Sequence, residues 1–144
     1  DAGNYRLTLN LEHWTIQAEY LGAVEVKKDP IETETLFIIG DATPGGWSMD
    51  NATAFSRDAN DKYVFTWEGE LVTGDMKACL VQDGTFSCPF LRPSSAEVDI
   101  TAAGVSATDF VFTTAPDDKW HVKEAGKYRI TFNLKAWTIA VEKK

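Results

Sequence analysis

The clearest pattern along the chain is a strict alternation of apolar and polar side chains near its C-terminal end. Residues 128–134 read YRITFNL and, after a short turn, residues 137–142 read WTIAVE. A period of two puts every second side chain on the same face of an extended strand, so that one face is apolar and the other polar. The pattern predicts a β-hairpin with one buried face.

An internal repeat indicates that this hairpin occurs twice. Residues 2–19, AGNYRLTLNLEHWTIQAE, return at 125–142 as AGKYRITFNLKAWTIAVE, with 11 identities in 18 positions. This spacing is too long for a solenoid unit and is typical of tandem domains. We therefore expect residues 1–20 to be the closing hairpin of a preceding tandem module, residues 21–33 to be a linker, and residues 34–144 to be a complete β-sandwich module.

The early copy of the hairpin needs something to dock on, because an isolated two-stranded hairpin is marginally stable in water. The candidates are the flank of the complete module, a preceding module, and a second chain that exchanges strands. Trp14 and Trp137 occupy the same place in the two copies. Because they lie inside the apolar alternation, we interpret both as core or seam residues rather than as ligand contacts.

Shorter strand-like runs fill the rest of the chain between turn-forming residues. Residues 62–68, KYVFTWE, carry bulky side chains on both faces, which predicts a central strand. Trp120 and Val122 share a face of another short run, so we interpret Trp120 as a core residue, with a ligand platform as the alternative. Together these runs predict an all-β, immunoglobulin-like or Greek-key β-sandwich with little or no helix. The content of 8 Phe, 5 Trp and 4 Tyr agrees with this fold class, since aromatic residues are enriched in strands.

Trp47 stands at the end of a loop that is dense in turn-forming residues. A short apolar run at 36–39 is followed directly by GDATPGGW at 40–47, and the glycines, proline and aspartate force an irregular connection. A buried strand that delivers an indole on such a loop holds a flat apolar ring near the rim of the domain, where a ligand can stack on it. The alternative is that Trp47 folds back and fills the core beneath the loop.

Residues 76–93, MKACLVQDGTFSCPFLRP, predict a second hairpin. Asp83-Gly84 between two strand-like arms favours a two-residue type I′ turn, and this register places Cys79 opposite Cys88. At a cross-strand pair without backbone hydrogen bonds, the Cα separation suits a disulfide. We therefore expect the two thiols to be joined, as in an exported protein. The alternative is a reduced pair in the cytosol.

One face of this predicted hairpin combines a cation with aromatic rings. Lys77, Val81, Phe86 and Phe90 lie on the same side in that register. A neutral polyol ligand needs such a combination, because a ring covers the C–H side of a sugar while a Lys, Arg or amide group satisfies its hydroxyls. The alternative is a core face of Phe86 and Phe90 with Lys77 reaching out from its edge.

The formal net charge of −8 narrows the range of partners. It argues against nucleic acid and anionic membranes, because both are repelled at long range, and it leaves neutral ligands, cations and other proteins. No run approaches the roughly 18 to 20 apolar residues of a membrane-spanning helix, and the first residues lack the layout of a signal peptide. We therefore expect a soluble chain, either mature or cut from something larger.

Catalytic and metal-binding patterns are weak in this sequence. His13 and His121 have no serine or cysteine motif around a sharp strand-to-helix turn, and the carboxylates are scattered over turns, so no glycosidase pair stands out. Asp58, Asn60 and Asp61 are rich in oxygen ligands, but they lack the glycine and the distant glutamate of a calcium loop. We expect a non-catalytic protein that holds neither a cofactor nor a metal.

An ordered set of segments resembles the carbohydrate-binding modules of SusE/SusF-type proteins. These segments are LFIIGDATPGGW, VFTWEGEL, TGDMK, LRP and DDKWHVKEAGKYRITFNL, and the resemblance covers residues 34–144. It implies tandem β-sandwich modules that bind starch-like glycans without catalysis. It also implies a lipid-anchored protein at the bacterial cell surface, on the outer membrane. The implied partners are a polysaccharide or oligosaccharide and the outer-membrane glycan transporter proteins of the same uptake system.

The resemblance also assigns candidate residues. Sugar sites of this family use aromatic platforms with lysine or arginine donors. This implies Trp47 as the loop aromatic, Lys77 as the donor, Phe86 where a tryptophan often follows that lysine, and Arg92 as a second donor. The phenylalanine and the nearby cysteine pair depart from the family pattern. The competing hypothesis is a structural spacer that positions other modules of a longer surface protein and has no ligand of its own.

Overall fold

The protein is built from β-strands, and the structure, a computed structural model, describes residues 28–144 (the side chain of Ala107 excepted) together with the backbone of strands at 4–10 and 15–22. In chain order the strands are β1 (Asn4–Asn10), β2 (Thr15–Gly22), β3 (Phe37–Ile39), β4 (Thr53–Ala54), β5 (Ser56–Arg57), β6 (Val64–Leu71), β7 (Gly74–Cys79), β8 (Phe90–Pro93), β9 (Val98–Ile100), β10 (Val105–Thr113), β11 (Trp120–Val122), β12 (Gly126–Asn133) and β13 (Thr138–Lys143). One 3₁₀ turn covers Met49–Asn51. In the described residues, no helix has the length and apolarity needed to cross a membrane.

Strands β3 to β13 form a sandwich whose two halves are joined through β10. One half runs in the order β4-β3-β7-β8-β10, and the other in the order β10-β13-β12-β6-β5. The first part of β10, including Thr108 and Asp109, pairs with β13, whereas Phe110 to Thr113 pair with β8. A strand that switches sheets in this way forms a corner of a sandwich. The predicted all-β sandwich is therefore confirmed.

Strand β7 is shared by several neighbours and positions the residues discussed below. Its second half pairs with β3 on one side and with β8 on the other, where Ala78 faces Leu91. Its first half pairs with β11, with Met76 opposite Trp120, and β9 adds a parallel strand to β11. Met76 and Ala78 are buried with the core, while Lys77 alternates to the other face of the strand.

The core is centred on Phe132 of β12. Its ring makes edge-to-face contacts with Phe55, Phe110 and Trp120, at centroid separations of 5.5, 5.4 and 5.7 Å. Edge-to-face packing is a favourable arrangement of aromatic quadrupoles in addition to the apolar area that it buries. Trp120 is 1% exposed, so its interpretation as a core residue is confirmed.

The alternating C-terminal segment forms the predicted hairpin of β12 and β13. Trp137 lies in its turn, half-buried, and stacks on Phe110 at 5.3 Å. Its indole N–H donates a hydrogen bond to the Asp29 carbonyl at 3.0 Å. Trp137 therefore joins the segment before β3 to the core, as a seam residue, and this interpretation is confirmed.

The early copy of the hairpin has the same strand register as the C-terminal one. Leu9 pairs with Ile16 and Asn10 with Thr15 in the separate sheet of β1 and β2. The corresponding pairs of β12 and β13 are Phe132 with Ile139 and Asn133 with Thr138. The repeat in sequence is thus also a repeat in backbone pairing. Trp14 and residues 23–27 of the expected linker lie outside the described residues.

The predicted hairpin around Asp83-Gly84 is wrong in register. Cys79 lies opposite Phe90, two residues beyond Cys88, and both cysteines are free thiols. Proline has no N–H to donate to a ladder, and the β7–β8 pairing forms only after Pro89. The disulfide expected from the shorter register is therefore not formed. Burial raises the pKa of the Cys79 thiol to about 12, so this thiol is protonated at neutral pH.

We predict that Phe132→Ala lowers the free energy of unfolding by about 3–5 kcal/mol, because it leaves a cavity where three rings meet. Urea denaturation followed by tryptophan fluorescence measures the change. Phe86→Ala is the matched control, since that ring is 41% exposed, and it should cost less than about 1 kcal/mol. Equal losses for the two variants would contradict the assignment of Phe132 to the centre of the core.

Candidate functional site

An open cleft lies on the face of the sheet at β7 and β8. Its volume is about 550 Å³, which falls in the range of small-molecule sites, roughly 300–1,000 Å³. The residues that line it are Trp47, Lys77, Phe86, Phe90, Arg92, Thr114, Asp117 and Lys119. The structure therefore brings together all four residues that the sequence nominates as sugar contacts, and adds four more.

Trp47 is held at the rim by a tightly bonded loop. The Gly40 amide donates to the Gly46 carbonyl at 3.0 Å, and the Thr43 hydroxyl donates to the Gly40 carbonyl at 2.8 Å. Gly40 has a φ of +139°, and a Cβ there would lie 2.1 Å from the Asp75 carbonyl oxygen, so the loop requires glycine to lie against β7. Trp47 is 38% exposed. The alternative in which it fills the core is therefore wrong.

Phe86 is held by a second irregular loop, between β7 and β8. The Asp83 carboxylate accepts hydrogen bonds from the amides of Thr85, at 2.9 Å, and Phe86, at 3.2 Å, as in the turns that aspartate favours. Phe86 has a φ of +58° and is 41% exposed. Its ring stacks on Phe90, with 6.3 Å between centroids and 25° between planes.

Two cations form the floor of the cleft together with Phe90. Lys77 is 6% exposed and Arg92 is 3% exposed. The Lys77 ammonium lies 3.8 Å from the centre of the Phe90 ring and 5.5 Å from that of Trp47. The Arg92 guanidinium lies 5.3 Å from Phe90. Both cations are thus within range of cation–π attraction. The alternative in which Lys77 reaches out from the edge of a core face is wrong, because Lys77 is buried.

Asp117 is the carboxylate that these two cations share. Its Oδ1 accepts hydrogen bonds from Lys77 Nζ at 2.9 Å and from Arg92 Nη1, while its Oδ2 lies 3.1 Å from Lys119 Nζ. Burial alone would raise the pKa of Asp117, but the hydrogen bonds from Lys77, Lys119 and Arg92 outweigh it and hold the pKa well below its usual range. Burial lowers the pKa of Lys77, and its hydrogen bond with Asp117 opposes that effect.

Arg92 mainly fastens the loop that carries Asp117. Its guanidinium donates to the carbonyls of Thr113 at 3.0 Å, Pro116 at 3.1 Å and Thr114 at 3.2 Å, as well as to Asp117. A guanidinium has five N–H groups, so these four bonds leave one for anything else. The residue nominated as a second sugar donor is therefore chiefly a positioning residue for the loop after β10.

The cleft presents a carboxylate and two rings to solvent, with its cations underneath. The Asp117 side chain is 58% exposed, compared with 7% for Lys77, 4% for Arg92 and 20% for Lys119. A carboxylate has about four lone-pair positions, and three are taken by the cations. The remaining one, with the outer N–H of Lys119 and the hydroxyl of exposed Thr114, forms a small set of hydrogen-bonding groups in the same cleft as Trp47 and Phe86.

Thr114, Asp117 and Lys119 are the cleft residues that the sequence analysis did not nominate. Asp117 and Lys119 lie in the segment APDDK at 115–119. Asp117 is 40 positions after Lys77 and 25 after Arg92, and turn carboxylates are abundant in this acidic chain. The available signal is indirect. A lysine and an arginine in runs that are otherwise apolar need a counter-charge once buried, but the sequence does not indicate which of many carboxylates supplies it.

Comparison with solved structures finds a similar fold in the crystal structure of SusF from Bacteroides thetaiotaomicron. The TM-score is 0.55 with 18% sequence identity. The chain is similar to SusF in fold. The match covers 88% of this chain and 26% of the SusF chain, so this chain spans about a quarter of that protein's length. No protein-family model matches the chain, and no curated protein matches it by sequence.

We predict that Asp117→Asn lowers the free energy of unfolding by roughly 1–3 kcal/mol at pH 7, because two buried cations lose their charged partner. The folded-state pKa of Asp117 lies below the unfolded value of about 3.9, so the stabilisation is complete above about pH 5 and is lost as the pH falls. The difference in the free energy of unfolding between wild type and variant should therefore be smaller near pH 3 than at pH 7, and urea denaturation at the two pH values measures it.

Asp118→Asn is the matched control for this measurement, since it changes the neighbouring carboxylate, which does not line the cleft. It should leave the free energy of unfolding within about 0.5 kcal/mol of wild type. A difference between wild type and Asp117→Asn that is independent of pH would contradict the electrostatic role of Asp117.

Proposed function

We propose that this protein binds a neutral glycan in the cleft and performs no chemistry on it. The observation that carries the proposal is the placement of aromatic side chains. Among residues 28–144, Trp47 and Phe86 are the aromatic residues with exposed side chains, and both line the same cleft. Solvent-exposed aromatic rings gathered at one concave, partly polar site are typical of ligand recognition rather than of folding.

The rings supply the apolar part of recognition. A pyranose has C–H faces that lose contact with water when they stack on a flat ring, and this burial is favourable at about 25 cal/mol per Å². Trp47 is fixed by the glycine loop and Phe86 by the Asp83 turn, so little conformational freedom is lost on binding. The two platforms therefore act as preformed surfaces for sugar rings.

The polar groups that line the cleft supply hydrogen bonds to the hydroxyls of the sugar. Asp117 stays ionised because Lys77, Lys119 and Arg92 hold its pKa low, and an ionised carboxylate is a stronger acceptor for a sugar hydroxyl than a neutral group is. Asp117 is also the outermost charge in the cleft, since the cations beneath it are far less exposed. The net charge of −8 repels acidic polysaccharides at long range, so we expect neutral glycans, of which starch is one, to bind in preference to glycans of uronic acids.

The setting that we propose is a glycan-uptake system at the bacterial cell surface, with the chain part of a larger lipid-anchored protein of the outer membrane that works with a glycan transporter. The fold likeness to SusF supports this setting.

We also propose that the β1–β2 hairpin closes a preceding module. The two hairpins share their strand register. In the C-terminal copy, β12 pairs with β6 and β13 pairs with β10, and we infer that β1 and β2 take the corresponding places in a preceding module.

We predict that Trp47→Ala weakens glycan binding by at least tenfold, which is about 1.4 kcal/mol, because it removes the larger platform. Affinity electrophoresis in gels with amylopectin, xylan, pectin or fructan, followed by calorimetry with the best ligand, measures the change. Retardation should be stronger in the neutral polysaccharides than in pectin, and Phe86→Ala should weaken it as well.

Val72→Ala is the control, since Val72 is an exposed apolar residue that does not line the cleft, and its retardation should match that of wild type. If no polysaccharide retards the wild-type protein, the spacer hypothesis replaces the proposal. If pectin retards it best, the site binds acidic glycans and the assignment of Asp117 as an acceptor is wrong.

A further inference from the structure

A second group of ligand-type side chains lies beside the cleft. Asp75, Glu97 and His121 each bring one oxygen or nitrogen atom to a common region, and these three atoms lie within 4.8 Å of one another. None of the three is among the residues that line the cleft. A ligand of this group would therefore bind outside the cleft that we propose for the glycan.

The sheet holds two of these side chains in place and brings the third close. Asp75 on β7 and His121 on β11 lie directly opposite each other, and His121 Nδ1 is 2.5 Å from Asp75 Oδ1. The Asp75 amide also donates to Asp41 Oδ1 at 2.7 Å. Glu97 immediately precedes β9, which is paired in parallel with β11. Ligands on adjacent strands are positioned more accurately than ligands on loops.

The charge of this group is not balanced by lysine or arginine. Within the described part of the chain, the ion pair of Asp75 is the one with His121, and Glu97 forms none. By contrast, Asp99, on strand β9 two residues after Glu97, has Lys123 at 3.7 Å. With the imidazole neutral, the group carries two negative charges in a protein whose net charge is already −8. A divalent cation would cancel them.

We propose that Asp75, Glu97 and His121 bind a divalent transition-metal ion of the zinc type. Calcium and magnesium prefer oxygen ligands alone, whereas an imidazole together with carboxylates suits zinc and its first-row neighbours. Three protein ligands with a water in the fourth position make an open site. The cation takes the place of the proton between His121 Nδ1 and Asp75, and the imidazole keeps its hydrogen on Nε2.

The adjustment that the site needs is small. Bonds of about 2.0–2.2 Å in a tetrahedral site place ligand atoms about 3.4 Å apart. The Asp75 and His121 atoms must therefore separate by less than 1 Å from their hydrogen-bonded contact. Glu97 is exposed, so a change of its rotamer can bring the carboxylate in without disturbing the sheet.

Isothermal titration with Zn²⁺, and with Co²⁺ followed by visible absorption, tests this site in the tag-free chain after treatment with a chelator, at pH 7.5. We expect one equivalent of Zn²⁺ to bind, and excess Ca²⁺ not to displace it. Glu97→Gln and His121→Gln should each weaken binding at least tenfold. Saturating Zn²⁺ should raise the Tm of the wild type more than that of Glu97→Gln.

Two control variants make the result specific. Asp99→Asn removes an exposed carboxylate two residues after Glu97 as a control for Glu97→Gln, and it should leave Zn²⁺ binding unchanged. Cys88→Ser removes the more accessible thiol and should also have no effect. The proposal is overturned if millimolar Zn²⁺ does not bind, if Glu97→Gln and His121→Gln bind as wild type does, or if Cys88→Ser abolishes binding. Because no glycan is present, each result is independent of the proposed function.

Discussion

The site depends on the pairing of two buried cations with one shared carboxylate. Lys77 and Arg92 lie on the neighbouring strands β7 and β8, and a charge removed from water is tolerated only when it is paired and hydrogen-bonded. Asp117 meets both on the same oxygen and Lys119 on the other. This ties the turn after β10 to the β7–β8 face. Arg92 strengthens the tie by donating to three carbonyls of the same turn.

Phe90 connects this charged floor to the aromatic rim. The Phe90 ring contacts the ammonium of Lys77 and the guanidinium of Arg92. It also stacks on the ring of Phe86. Cation–π attraction and ring stacking therefore act on the same side chain, which is itself 1% exposed. The cleft has a rigid base that does not depend on a ligand, and the exposed rings of Trp47 and Phe86 stand on that base.

Local patterns in the sequence predicted the parts of this architecture that local physics determines. The alternation around Phe132 predicted the β12–β13 hairpin correctly. The glycine-rich loop left both an exposed and a core position open for Trp47, and the structure shows that it is exposed. The register of β7 and β8 was not predictable from Asp83-Gly84, because the Asp83 side chain bonds to the amides of a wider loop and Pro89 interrupts the ladder. Asp117 could not be chosen either, since the pairing of β8 with β10 is what brings its turn to Lys77.

The shared register of the two hairpins has a consequence for how the chain folds. Because β1 and β2 pair in the same register as β12 and β13, we expect the two strand pairs to compete for the edges of β6 and β10 during folding. The side chains decide between them. The early hairpin would put Leu9 where Phe132 meets three aromatic rings, and a leucine leaves that space incompletely filled. We therefore expect the phenylalanine at this one position to favour the C-terminal copy over the early copy in the completed core.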